Sequence, residues 1–319
     1  MNNSPNPIRL PVGDIALATF NGECYLPELL DSIRQQTHDN WHLIVGDDGS
    51  TDRTVEILNA FATAHPAQTT LLPATKRLGA KDNFSRILQA CRSDYAMPAD
   101  QDDVWLPNKI ELSLRLALEI EGKHPTGTPV LVHSDASVTD ETLQLLDPSF
   151  WHHQNLCPEY GMKFKNLLVQ NVITGCTVLA NRALLDITLP IPTEAIVHDW
   201  WMGLTAAAFG KIGYLTEPTL LYRQHADNQV GAKEWSAQHI ADEATSGIRA
   251  LRKRINATQQ QATAFKTRFT GKLGTNEQEV LDAYIQLRSH GPISRRLLAA
   301  RYGLHKCGIL RTAGFYAAL

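Results

Sequence analysis

The sequence predicts an α/β fold, with a mostly parallel sheet covered by helices on both faces and a helical extension at the C-terminal end. Three observations predict it. Short apolar runs alternate four times with segments whose apolar residues recur at helical spacing, in units no longer than about 40 residues, as βα repeats do. Carboxylates recur just past several of these runs, so they collect at one edge of such a sheet. Beyond residue 233 the alternation stops, and a polar, helix-patterned stretch follows.

Residues 14–20 form the first apolar run, ended by Asn21-Gly22, and Tyr25, Leu26, Leu29, Leu30 and Ile33 then fall at helical spacing, with Pro27 acceptable in a first turn. Residues 41–45 are the second strand. They run into Gly46-Asp47-Asp48-Gly49-Ser50-Thr51-Asp52, where the acids suit either the hydroxyls and base of a nucleotide or the capping of the next helix. A weak third strand spans 69–73, and a polar helix start follows in which Lys81 faces either phosphate or solvent. The fourth strand, 94–99, ends in Asp100-Gln101-Asp102-Asp103-Val104-Trp105 before a helix from Pro107 to about Ile120. A fifth, 129–133, is closed by Ser134-Asp135.

Three carboxylates crowded at a strand's carboxyl end repel one another unless a cation lies among them. Mg²⁺ or Mn²⁺ held by one or two carboxylates leaves coordination sites for phosphate oxygens. The other reading is a polar loop whose acids favour the positive end of the next helix.

The second half is less regular. Phe150-Trp151-His152-His153 reads as a loop, either a sugar-binding lip or a buried anchor; adjacent histidines point apart, which argues against a metal pair. Residues 172–180 read as a strand in which Gly175 lets backbone approach a ligand, His198 to Gly210 as a helix, and 212–215 and 219–222 as two strands ending at Arg223-Gln224-His225. There, a histidine suits a metal or a diphosphate, and Arg223 suits phosphate.

Length and charge bound the reading. The 319 residues exceed the usual ~100–200 of one domain. A formal net charge of −3, with no basic domain, sets nucleic acid aside as a partner. The five cysteines, Cys24, Cys91, Cys157, Cys176 and Cys307, are scattered without metal or disulfide spacing, which suits a reducing cytoplasm. The Met1-Asn2-Asn3-Ser4-Pro5 start has no leader pattern, and no apolar run reaches the ~18 residues of a membrane span. From Arg288 onward there is no acid, and Arg295, Arg296, Arg301, Lys306 and Arg311 interleave with apolar residues. That mixture suits either a helix on an anionic bilayer or one packed on the domain.

Taken together and in order, Ala18-Thr19-Phe20-Asn21-Gly22, the Gly46–Asp52 acids, Asp100-Gln101-Asp102-Asp103, Thr174-Gly175-Cys176, His198-Asp199-Trp200-Trp201 and Tyr222-Arg223-Gln224-His225 resemble family 2 glycosyltransferases, nearest to their bacterial rhamnosyltransferase-like branch. The resemblance spans roughly residues 15–233. It implies a GT-A fold with a Rossmann-like sheet, an inverting transfer, and a nucleotide-sugar donor such as dTDP-rhamnose or a UDP-sugar. The implied acceptor is a glycan or lipid-linked glycan of a surface polysaccharide, met at the cytoplasmic face of the membrane.

The resemblance also implies roles for residues. Asp199 is the general base. Thr19, Asn21, Asp47, Asp48, Lys81, Asp100 and Arg223 meet the donor. Asp102 and His225 hold Mg²⁺ or Mn²⁺. Gly175, Trp200 and Trp201 face the acceptor. Gln101 departs from the small residue common between the paired acids. The implied division is a catalytic domain at 1–233, with a nucleotide-binding half at 12–135 and an acceptor half at 136–233, and an extension at 234–319. Two other functions share these acids: a non-catalytic nucleotide-sugar-binding scaffold, and a nucleotidyltransferase that would release pyrophosphate.

Overall fold

The computed structural model describes residues 10–74, 76–226 and 237–319, and of 237–246 the backbone only. The segment at Met1 and the expected boundary at Lys233 fall outside the described residues.

The strands are β1 (Gly13–Thr19), β2 (Trp41–Asp47), β3 (Thr69–Leu71), β4 (Tyr95–Asp100), β5 (Val104–Trp105), β6 (Val130–Thr139), β7 (Leu145–Asp147), β8 (Leu179–Asn181) and β9 (Lys211–Arg223). They form one sheet in the order β3-β2-β1-β4-β8-β6-β9-β5, with β7 on β6. The first four strands pair in parallel, as does β6 with β9, whereas β8 is antiparallel to both β4 and β6. One reversed strand thus joins two parallel blocks, and all the longer strands share a direction.

The helices are α1 (Leu26–Arg34), α2 (Thr54–Ala64), α3 (Ala80–Ala90), α4 (Lys109–Gly122), α5 (Phe150–His153), α6 (Phe164–Leu167), α7 (Arg182–Thr188), α8 (His198–Phe209), α9 (Ala237–Arg268), α10 (Thr275–Gln286), α11 (Pro292–Arg301) and α12 (Ile309–Ala318). Inside α9, Gly247 has φ 75°, a left-handed conformation suited to glycine, so two helical pieces meet there.

The period of two along each strand explains the two-faced sheet. Ile15 and Leu17 of β1, Met97 and Ala99 of β4 and Val132 of β6 join one core with Leu29 and Ile33 of α1 and Ile110 and Leu114 of α4. Their alternates Ala16, Ala96 and Leu131 join the other core, built from α3, α7, α8 and the C-terminal helices.

Three expectations change. The run at 172–180 is a strand only at its end, because Thr177 N–H bonds back to Thr174 O at 3.0 Å and Val178 N–H to Gly175 O at 3.1 Å, closing a turn that overrides the β-branched pattern. Segments 212–215 and 219–222 belong to the single strand β9. Asp135 lies inside the ten-residue β6 rather than past its end.

Candidate active site

Register sets the site. Thr19 pairs with Asp47 across β1 and β2, and Ala18 with Asp100 across β1 and β4, so the carboxyl ends of three strands are level. The chain then leaves β4, carries Asp102 and Asp103 across the edge, and pairs as β5 with β9, Val104 against Leu221. Because β9 runs the other way, its last residues return to the acids. His225 Nε2 lies 2.8 Å from Asp102 Oδ2, and the His225 ring packs 4.7 Å from that of Tyr25. The sequence-predicted metal pair is therefore brought together by strand pairing.

Behind it lies a buried polar layer. Asp103 is 1% exposed, one of its carboxylate oxygens has no hydrogen-bond partner among the described residues, and burial together with the charges of Asp102 and Asp100 drives its carboxyl far toward neutrality. The Cys176 thiol beside it is pushed well up by burial and by Asp103, and bonds to that carboxyl. Lys109, fully buried beneath them, is pushed down to about 8 by burial. Asp100, Asp103 and Cys176 lie close enough to share an ion. A soft, protonated sulfur in that set does not suit Mg²⁺ or Mn²⁺, whereas the partly exposed Asp102 carboxylate, with His225 beside it, does. The fit is to Asp102 and His225.

Asp199 opens α8 and faces the same space. Burial pushes its carboxyl up to about 7, although the backbone N–H groups of Trp200 and Gly175 and the Asn171 side chain all favour the ionised form. Asp100 is likewise raised to about 7, by burial first and then by the charges of Asp102 and Asp199. Two neighbouring buried carboxyls, each raised to about 7, can take up or release a proton near neutral pH. Asp199 is not the helix cap, for Val197 precedes α8 in that position without a side-chain bond; Trp200 N–H donates to Asp199 Oδ1 at 2.6 Å inside the first turn.

Other predicted residues serve the frame. Asp47 accepts from the Thr19 hydroxyl at 3.0 Å and from Gly49 and Ser50 N–H groups. Asp48 accepts from Leu78 and Gly79 N–H at 2.6 and 2.8 Å, holding the loop before α3. Asn21, at φ 47°, takes the Thr51 N–H on its side chain, so the loops after β1 and β2 are stitched together. Lys81 donates to the carbonyls of Pro192 and Thr193.

Arg223, placed at phosphate from sequence, is 2% exposed: its guanidinium donates to the Asp102 and Glu141 carbonyls and to Glu28. Burial and these partners commit it to shaping the acid turn. Trp201, placed at the acceptor, is 0% exposed and packs its ring 5.2 Å from Phe265 of α9, because the helical turn points it into the core. Trp200 beside it is half-buried and donates to Leu167 O at 2.6 Å. Gly175 serves the acid rather than leaving a gap for a ligand: a Cβ there would lie 2.8 Å from His198 Nε2 and 3.5 Å from Asp199 Oδ2. Phe150 and Trp151 are 7% and 6% exposed, a buried anchor rather than a lip. Asp135 receives the Ser149 hydroxyl and the Trp151 N–H and fixes that anchor.

Sequence reasoning missed three neighbours. Gln101 clamps the backbone of Phe20 through both amide atoms, at 2.8 and 2.9 Å. Asn171 reaches Asp199 from a segment without a motif. His198 stacks 4.1 Å from Phe84, is pushed down to about 4 by burial and so stays neutral, with Nε2 lacking a partner among the described residues. Its place beside Asp199 in the quoted motif was the one available signal.

Comparison with known proteins agrees with this architecture. The family model for glycosyl transferase family 2 matches residues 14–186. The dTDP-rhamnosyl transferase RfbG of Shigella flexneri is 30% identical over 232 residues, covering 68% of this chain and 74% of that protein. Among solved structures, the mannosyltransferase PcManGT from Pyrobaculum calidifontis, in complex with GDP-Man and Mn²⁺, superposes with a TM-score of 0.54 at 20% identity, over 98% of this chain and 81% of that one. S. aureus TarS in complex with UDP-GlcNAc gives a TM-score of 0.53 at 16% identity, over 96% and 90%. The chain belongs to glycosyl transferase family 2, a glycosyltransferase built on the GT-A fold.

Proposed function

We propose that this glycosyltransferase is metal-dependent and inverting, and that it moves a sugar from a nucleoside diphosphate, dTDP-rhamnose or a UDP-sugar, to a glycan or lipid-linked glycan acceptor of a surface polysaccharide. The observation that carries the reading is the convergence of Asp199, held near neutrality, with the Asp102–His225 pair at one sheet edge. Asp199 takes the proton of the acceptor hydroxyl. The freed oxygen attacks the anomeric carbon from the side opposite the leaving nucleoside diphosphate, which inverts the centre. Asp102 and His225 would hold Mg²⁺ or Mn²⁺, whose charge offsets that developing on the diphosphate. Asp100 and the loops carrying Thr19, Asn21, Asp47 and Asp48 border the nucleoside, and Trp200 the acceptor sugar.

Thermal unfolding with UDP or dTDP tests the donor and metal together. A ligand bound to the native state at 100 times its Kd stabilises by about 2.7 kcal/mol. The expected result is a rise in Tm with nucleotide and Mn²⁺ that is absent with EDTA; the same rise in EDTA overturns the metal role.

We also propose that the protein sits on an anionic membrane surface at the cytoplasmic face. Among the described residues no helix is long and apolar enough to cross a membrane. α11 and α12 are packed on the domain through Ala299, Leu304 and Phe315, yet Ile293, Leu297, Ile309 and Leu310 are 75%, 67%, 88% and 58% exposed beside arginines. Packing and membrane contact thus use opposite faces of the same helices. Full-length protein should float with anionic vesicles at low salt, and an Ile293→Ser/Leu297→Ser variant should remain behind; equal flotation of both excludes this face.

A further inference from the structure

Between residues 157–166 and the turn joining α11 to α12 lies a cleft of about 640 Å³, within the range of small-ligand sites and separate from the acids. Lys163, Lys165, Lys306 and His305 line it against one carboxylate, Glu159. Glu159 is already occupied, accepting from the Tyr214 hydroxyl at 2.6 Å and the Cys157 thiol at 2.8 Å. Lys163 and Lys165 form no ion pair among the described residues. Lys165 Nζ sits over Gly303, where a Cβ would come within 2.8 Å; the glycine, at φ +61°, makes room for the ammonium. At one side the lining turns apolar at Ile309, which is 88% exposed, and Leu310 follows it in the chain at 58% exposed.

The cleft lies one residue layer behind the base. Cys307 of its wall donates its N–H to Gln170 Oε1 at 3.0 Å, and Val172 packs on Tyr160 and Cys307. Asn171, between them, bonds to Asp199. A ligand held by the lysines would therefore lie close to the group that activates the acceptor hydroxyl.

We propose that this cleft binds the phosphate or diphosphate of an amphiphilic acceptor, with Lys163 and Lys165 on the anion and the apolar tail leaving over Ile309 and Leu310. Ammonium groups supply charge-assisted bonds to phosphate oxygens. An apolar rim rewards a lipid tail, which a free anion lacks. The proposal rests on the glycosyltransferase reading and adds a polar anchor for its acceptor.

The test uses the full-length protein in EDTA, which removes any metal-bridged diphosphate binding at Asp102 and His225. Geranyl diphosphate, inorganic pyrophosphate and geraniol are each titrated by calorimetry. Geranyl diphosphate should bind, pyrophosphate at least ~10-fold more weakly, and geraniol not at all. Lys163→Ala/Lys165→Ala should weaken geranyl diphosphate by ~10–100-fold, two lost charge-assisted contacts, with Mn²⁺-dependent UDP stabilisation unchanged. Lys163→Arg/Lys165→Arg should restore it. Equal binding of pyrophosphate and geranyl diphosphate overturns the lipid assignment, and an unweakened double alanine variant overturns the site. If UDP and Mn²⁺ still stabilise the protein while geranyl diphosphate fails to bind, the cleft proposal alone falls; if UDP and Mn²⁺ do nothing, the donor reading falls on separate grounds.

Discussion

Asp199→Asn is expected to lower sugar transfer by ~10²–10⁴-fold, the usual contribution of a positioned base, while Mn²⁺-dependent UDP stabilisation stays intact. The amide keeps the size and the oxygen that receives Trp200 N–H. It cannot take the acceptor proton. In the wild type, transfer should rise with pH through about 7, as Asp199 ionises, and that limb should vanish in the variant. Stability should move the other way. A carboxyl raised from 3.8 to about 7 by burial is held protonated by the fold, so its ionisation costs stability progressively between those values. Metal-free Asp199→Asn should therefore unfold at a higher temperature than wild type at pH 8, with the difference gone by pH 4. Near-normal turnover in the variant would remove Asp199 from the mechanism.

Asp102→Asn is expected to abolish metal-dependent donor binding, raising the apparent Kd for UDP in Mn²⁺ by more than ~10²-fold, since ligand loss exceeds the 10–100-fold typical of residues that only orient ligands. His225→Ala should weaken Mn²⁺ by a smaller factor, because the imidazole shares the site without supplying charge. In both variants the pH limb of residual transfer should stay near 7, for Asp199 is untouched. Equal UDP affinity for wild type and Asp102→Asn in Mn²⁺ would move the metal elsewhere.

Strand-end acids were legible because strand periodicity and turn residues fix where a βα unit stops. Thr19, Asp47 and Asp100 fall level in the sheet as their strands predict. Asp102 and His225 were read in separate stretches, and only the antiparallel pairing of β5 with β9 explains their contact. What stayed hidden depends on side-chain direction. Trp200 and Trp201 are adjacent letters, yet the helix leaves one half-buried with its indole on Leu167 O and sends the other fully into an aromatic core supplied by α9. Arg223 carries the chemistry of a phosphate ligand, and only its partners show that it holds backbone carbonyls instead. The strand expected at 172–180 gave way to a turn because Gly175 must pass His198 and Asp199 closely, a constraint that local propensity does not contain.

The packing of Trp201 against Phe265 places the C-terminal helices behind the helix that carries Asp199. α8 is thus shared property, with one side turned to chemistry and the other resting on helices that a domain-by-domain reading would treat as an appendage. Grafting those helices from a homologue would be expected to disturb the aromatic packing that holds α8, and with it the placement of Asp199.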